Sequence, residues 1–213
     1  MDEESFIINN LKDEVAYYMR RLYERGLTTT SGGNISVRGN GMVFITPSQT
    51  DKGRMKGYEI CMLDSEGEPI EPNVKLSMET AMHLAIYAAR PDVKAIVHAH
   101  PPTATAFAVA HTPINTRITG ESWAILGEPA FAEYELMGTE ELAKAVANAT
   151  LSADVVLLKN HGILAVGKTL LEAFDRVEVL ENCAKIMLLS QLAGGAKTLG
   201  QTEIEAINKL INR

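Results

Sequence analysis

At 213 residues the chain is long enough for one large domain or two small ones, and 46% hydrophobic residues are enough for a full core. A formal net charge of -7, with no dense Lys/Arg run, argues against a nucleic-acid partner. Cys61 and Cys183 are too few for a disulfide framework, the N-terminus is acidic where a signal peptide would be basic, and no apolar run reaches spanning length; a soluble, cytoplasmic protein with no membrane partner is expected.

Ser5 is placed to cap a first helix running to about Arg25, with Phe6, Ile8, Leu11, Val15, Tyr18, Met19 and Leu22 at helical spacing and Gly26 as its stop. Thr28–Gly33 then leads to Asn34-Ile35-Ser36-Val37. A Gly-Gly-Asn loop frees backbone N–H groups for an anion, but the same residues make an ordinary turn. Gly39-Asn40-Gly41 predicts a hairpin between strands near 34–38 and 42–46. Thr46–Thr50 is a Pro-set turn whose hydroxyls and amide suit either a phosphate or a plain turn. A strand is expected at 59–63. Ser77 stands at the expected N-cap of a helix that ends before Pro91, which puts Glu79 in the first turn; capping and the helix dipole account for both residues without chemistry. His83 reads as a packing or surface residue.

Ala95–His100 is an apolar, β-branched run ending in two histidines one residue apart, stopped by Pro101-Pro102. Strand alternation points His98 and His100 the same way, which is the start of a metal site. A short helix is expected at 103–110, with His111 beyond it as a non-ligand, and irregular strand and loop over 114–134. Thr139 caps a helix to about Ala149. Val155–Leu158 and Ile163–Val166 are strands around Asn160-His161-Gly162, which exposes a third imidazole at a strand junction. Thr169-Leu170-Leu171-Glu172 is a capping-box signature for a long helix to about Leu192, and Thr202 is placed to cap a last short one. No repeat or linker composition interrupts the chain. The expected architecture is a single α/β domain over 1–213 with a mixed sheet.

Taken together, Gly32-Gly33-Asn34-Ile35-Ser36, Ile45-Thr46-Pro47-Ser48, Lys75-Leu76-Ser77-Met78-Glu79, His98-Ala99-His100-Pro101 and Asn160-His161-Gly162 resemble the class II aldolase/adducin family in order and spacing. The resemblance implies a three-layer α/β/α domain around a mixed, largely antiparallel sheet, usually assembled as a homotetramer. It implies that His98, His100 and His161 bind zinc or another divalent metal, with Glu79 as catalytic base and resting fourth ligand. Asn34, Ser48 and Ser77 match phosphate contacts, with the backbone near Gly33 and Gln49 helping. The implied activity is reversible cleavage of a ketose 1-phosphate, fuculose-1-phosphate-like, to dihydroxyacetone phosphate and a small aldehyde.

Some positions depart from the aldolase pattern. Met78 replaces a second phosphate-binding serine, Gln49 replaces a glycine, Thr119 stands near an expected tyrosine, and the tail after Leu192 has none. Glu121 and, behind it, Tyr134 are the candidates for the residue that protonates the leaving oxygen; a surface charge accounts equally for Glu121. Within the family, a ribulose-5-phosphate 4-epimerase or a methylthioribulose-1-phosphate dehydratase are the alternatives, although the epimerase branch carries aspartate in place of Glu79. A non-catalytic adducin-like module has no need of three aligned histidines and a glutamate.

Overall fold

The computed structural model describes residues 2–212. Helix α1 (Glu3–Glu24) is capped by Asp2, whose carboxylate accepts from the Ser5 N–H at 2.8 Å. The cap therefore lies three residues before the expected Ser5. Strands β1 (Asn34–Gly39) and β2 (Met42–Ile45) form the expected hairpin. Asn40 and Gly41 both have positive φ, at 50° and 73°, as a two-residue turn matched to strand twist requires. Strand β3 (Cys61–Leu63) is shorter than expected, because Gly57–Glu59 closes into a 3-10 turn before it.

Helix α2 (Thr80–Ala89) starts with Glu79, not Ser77, at its N-cap. Ser77 instead sets the preceding turn: its carbonyl accepts from the Thr80 N–H, and its Oγ accepts from the Glu79 N–H at 3.3 Å. Strand β4 (Ala95–Ala99) and helix α3 (Pro102–Val109) follow. The stretch expected to be irregular holds helix α4 (Gly120–Leu126) and strand β5 (Ala130–Ala132). Two turns of helix are too short for a clear apolar period, but the Thr119 side chain caps them at the Ser122 N–H. Helix α5 (Glu140–Thr150) carries the expected Thr139 cap, and strands β6 (Val155–Leu158) and β7 (Gly162–Gly167) flank the His161 turn. Helix α6 (Leu170–Ser190) begins at the Thr169 cap, and helix α7 (Gln201–Leu210) begins after Gly200 rather than at Thr202.

The strands form one sheet in the order β3-β2-β1-β4-β7-β6-β5, antiparallel throughout except for the β5–β6 pair. Alternation divides each strand between two cores. Ile35, Val37, Val97, Leu157 and Ile163 pack against α1, α3 and α6; Val43, Ile96, Val156 and Leu164 pack against α2 and α5. The result is the expected three-layer α/β/α arrangement around a mixed, largely antiparallel sheet. Register then decides what meets at the sheet end: Asn34 pairs with His98, and Ala99 pairs with Ile163, two residues past His161. Among the described residues no helix is long and apolar enough to cross a membrane, and both cysteines are free and buried.

Phe174 anchors the larger core from α6. It is fully buried, its ring centroid lies 5.2 Å from that of Tyr18 on α1, and the Arg21 guanidinium sits 4.5 Å over its face. Phe174→Ala is expected to lower stability by about 3–5 kcal/mol in denaturant titration, with the slope of the transition unchanged.

Candidate metal centre

The two histidines of the strand end reach one point by different routes. His98 is on β4, facing α2 with no exposure, and its partner strand β7 supplies the Ile163 carbonyl 2.8 Å from Nδ1. That contact puts the proton on Nδ1, so Nε2 presents a lone pair. His100 lies just past the strand, its backbone N–H held by the Leu27 carbonyl at 3.0 Å. His161 ends the β6–β7 turn, where Asn160 takes a positive φ of 54°. One ring nitrogen from each histidine falls in a cluster with all members within 4.8 Å of one another.

Two glycines make this approach possible. A Cβ at Gly162 would lie 2.5 Å from His100 Cδ2 and 2.7 Å from the Ala99 carbonyl oxygen. A Cβ at Gly33, which has φ +66°, would lie 2.8 Å from the His98 carbonyl oxygen.

Glu79 enters the cluster from the start of α2. Oε2 lies 3.2 Å from His98 Nε2, and Oε1 lies 3.1 Å from His161 Nε2. Burial by itself would raise the Glu79 pKa, but the His98 and His161 imidazoles and the Asn34 amide outweigh it, and the carboxyl is held well below the usual range. Burial depresses the His98 pKa, and it brings His100 down to about 3 with help from His98 and His161. The arrangement is therefore an ionised carboxylate beside imidazoles, of which His98 and His100 are pushed toward the neutral form by burial. Glu79 Oε1 and His98 Nε2 are both buried without a hydrogen-bond partner. Lone pairs facing each other at about 3 Å repel unless a cation lies between them. These two orphaned atoms, one on the carboxylate and one on an imidazole that faces its other oxygen, fit a divalent metal held by three histidines, with Glu79 as a displaceable fourth donor.

The carboxylate is oriented from below by a buried chain of polar groups. Asn34 Nδ2 donates to Glu79 Oε2 at 2.7 Å, which turns Oδ1 toward His83 Nε2 at 2.6 Å. His83 Nε2 therefore carries the proton, and Nδ1 accepts from Ser36 Oγ at 2.7 Å, with the Tyr87 hydroxyl 2.8 Å beyond. Burial pulls the His83 pKa down to about 3, which keeps this tautomer neutral. His83 is outside the metal cluster, as expected, but it is neither a simple packing residue nor a surface residue. Its position four residues after Glu79, on the same helical face, was the available sequence signal.

A cavity of ≈ 150 Å³ opens beside the cluster, lined by Gly33, Ser48, Lys52, Ser77, Met78 and Met137 together with Glu79, His100 and His161. Of the phosphate candidates, Gly33, Asn34, Ser48, Ser77 and Met78 reach it. The Asn34 amide is already engaged by Glu79 and His83. Gln49 is absent from the lining; its amide oxygen accepts from Lys75 Nζ instead. Glu121 is exposed in the first turn of α4 and Tyr134 is exposed beyond β5, and neither lines the cavity within one chain. His111 bonds Asn160 Oδ1 at 2.7 Å and stays outside the cluster.

A cluster of three histidines and one glutamate at the end of a mixed sheet, beside a polar cavity, makes a candidate metal centre on an α/β fold. The profile of the Class II Aldolase and Adducin N-terminal domain matches residues 13–188, and the chain belongs to that family. It is 38% identical over 165 residues to the L-fuculose phosphate aldolase of Methanococcus vannielii, which covers 78% of this chain and 88% of that one. It is 33% identical over 208 residues to the 5-deoxy-D-ribulose 1-phosphate aldolase of Bacillus thuringiensis serovar kurstaki, covering 95% and 96% respectively. Among solved structures, an L-fuculose 1-phosphate aldolase superposes with a TM-score of 0.85 at 37% identity, over 96% of this chain and 97% of the other. The family's enzymes are lyases that generally use a divalent metal.

His161→Ala is expected to weaken divalent-metal affinity by more than about tenfold, read as metal content after dialysis against a weak chelator. Gly162→Ala should lower metal content in the same assay by forcing the His100 ring aside. Full metal retention in both variants would contradict the three-histidine centre.

Proposed function

We propose that the chain is a single-domain, zinc-dependent aldehyde-lyase that reversibly cleaves a ketose 1-phosphate to dihydroxyacetone phosphate and a small aldehyde. The observation that carries this reading is Glu79: an ionised carboxylate on the cavity wall, held between His98 and His161. The aldolase names of the relatives support it, and both relatives named above act on sugar phosphates.

His98, His100 and His161 would hold a divalent cation, which would supply Lewis acidity toward negative charge on the sugar oxygens. The chain's own residues do the rest. Glu79 returns a proton to the carbon that becomes the hydroxymethyl group of dihydroxyacetone phosphate, and removes the same proton in the direction of synthesis. Asn34, set by His83, aims the carboxylate. Ser48, Ser77 and the Gly33 backbone hold the phosphate, so that binding energy far from the reacting carbons fixes their position. Exposed Met78 and Met137 rim the cavity. A homotetramer, the working form in this reading, brings a neighbouring copy over that rim and with it a side chain that takes the hydroxyl proton as the aldehyde forms and returns it in the direction of synthesis, with Glu121 and Tyr134 as the candidates.

The test is a cleavage screen over ketose 1-phosphates, with dihydroxyacetone phosphate detected by coupled reduction, with and without chelator. Cleavage that stops on chelation and returns with zinc is expected. Turnover that survives complete metal removal would refute the mechanism. Metal-loaded protein that releases no triose phosphate from any sugar would move the assignment to epimerase or dehydratase chemistry. Glu79→Gln is expected to lower kcat by about 10²–10⁴-fold. Unchanged turnover in Glu121→Gln would leave the hydroxyl-proton role to Tyr134.

A further inference from the structure

Lys52 begins the short 3-10 turn Lys52–Arg54 that follows the 46–50 loop, and only 1% of it is exposed. Fully buried lysines are ordinarily paired, because an ammonium that leaves water without a counter-charge loses its hydration for nothing in return. Lys12 shows the usual arrangement: it is also buried, and its Nζ meets Glu71 Oε1 at 3.0 Å. Lys52 differs. Its Nζ donates to the Pro47 carbonyl at 2.6 Å and makes a long contact with Thr50 Oγ1 at 3.5 Å; among the described residues no carboxylate is ion-paired with it. Burial lowers its pKa to about 8, with Cys61 and Glu59 opposing the shift only in part. An ammonium has three donors, and the protein uses one well and one poorly.

Lys52 also lines the cavity beside the histidine cluster, together with Gly33, Ser48 and Ser77. These offer neutral donors, Met78 offers none, and Gln49 has turned away to Lys75. A dianion in such a cavity needs a cation, and a buried cation without a partner needs an anion.

We propose that the Lys52 ammonium is the charged contact for the substrate's phosphate, completing an anion subsite with Gly33, Ser48 and Ser77. This rests on the sugar-phosphate reading of the site. Ser48 and Ser77 orient the phosphate, and Lys52 supplies the charge that makes it prefer the cavity to water. Like many binding groups, Lys52 lowers the stability of the empty protein. Its folded-state pKa is below the unfolded value, so folding disfavours the charged form at all pH values below the unfolded pKa, neutral pH included.

The test uses metal-loaded full-length protein, inorganic phosphate as probe, and the variants Lys52→Met and Lys52→Arg. Calorimetric titration is expected to show phosphate binding to wild type, about tenfold or more weaker binding to Lys52→Met, and partial retention in Lys52→Arg. The thermal midpoint of Lys52→Met in phosphate-free buffer should lie above that of wild type, and added phosphate should raise it less. A lysine that only braces the 46–50 loop predicts the reverse sign. Wild-type phosphate affinity in Lys52→Met, or a lower midpoint in that variant, would overturn the proposal while leaving the sugar-phosphate reading intact. Wild-type protein that neither binds phosphate nor cleaves any sugar phosphate would remove both.

Discussion

The structure turns on a carboxylate that faces lone pairs. Glu79 is almost dry, ionised, and about 3 Å from two imidazoles, one of which is already committed to donating elsewhere. Left to itself the contact between His98 Nε2 and Glu79 is repulsive, and a hydrophobic core would not tolerate it. It is kept because everything around it is over-determined: β4 and β7 fix His98, the start of α2 fixes the Glu79 backbone, and the Asn34–His83–Ser36 chain fixes the carboxylate plane. A cation resolves the repulsion, and binding one stabilises the native state by mass action.

The sheet is what brings these residues together. Asn34, Glu79, His98 and His161 are far apart in sequence, yet β1, β4 and β7 are adjacent, and their ends coincide. The antiparallel order matters. It places the start of β1, the end of β4 and the start of β7 at the same edge, so three loops open into one cavity. Gly33 and Gly162 occupy the points where those loops press against β4, and side chains there would collide with the histidine segment. Backbone crowding and metal geometry are thus parts of one constraint.

Much of this was legible from residue order. The β4 histidines follow from strand period, His161 from a histidine–glycine step between apolar runs, and the layer arrangement from strands interleaved with amphipathic helices. Other parts were hidden for physical reasons. Helix α4 has two turns, too few for a period to show. Asp2 and Ser5 are both good caps, and only the hydrogen bond chooses between them. Ser77 looked like an N-cap because it lies two residues before the true one, in a loop that mimics the first turn of a helix. Lys52 was invisible as a site residue because its significance is burial without the usual carboxylate partner, and His83 offered only its spacing from Glu79. Sequence records that a residue is charged or polar, but not that its surroundings are dry.

Glu79 and Lys52 pose the same problem with opposite signs. Each is a buried charge on one cavity wall, and among the described residues the two form no ion pair with each other. Pairing them would quiet both and would fill the cavity with a salt bridge. Kept apart, each retains an unmet demand, a cation for one and an anion for the other. In the proposed reaction those demands belong to the metal and to the substrate's phosphate, so one bound sugar phosphate spans both. The field needed at the reacting carbons is then present before substrate arrives, and little reorganisation remains for the chemical step. The accompanying loss of stability in the empty protein is the trade expected where a fold holds a site in readiness. A protein of net charge -7 can therefore attract a phosphorylated ligand, because the attraction is local and dry rather than spread over its surface.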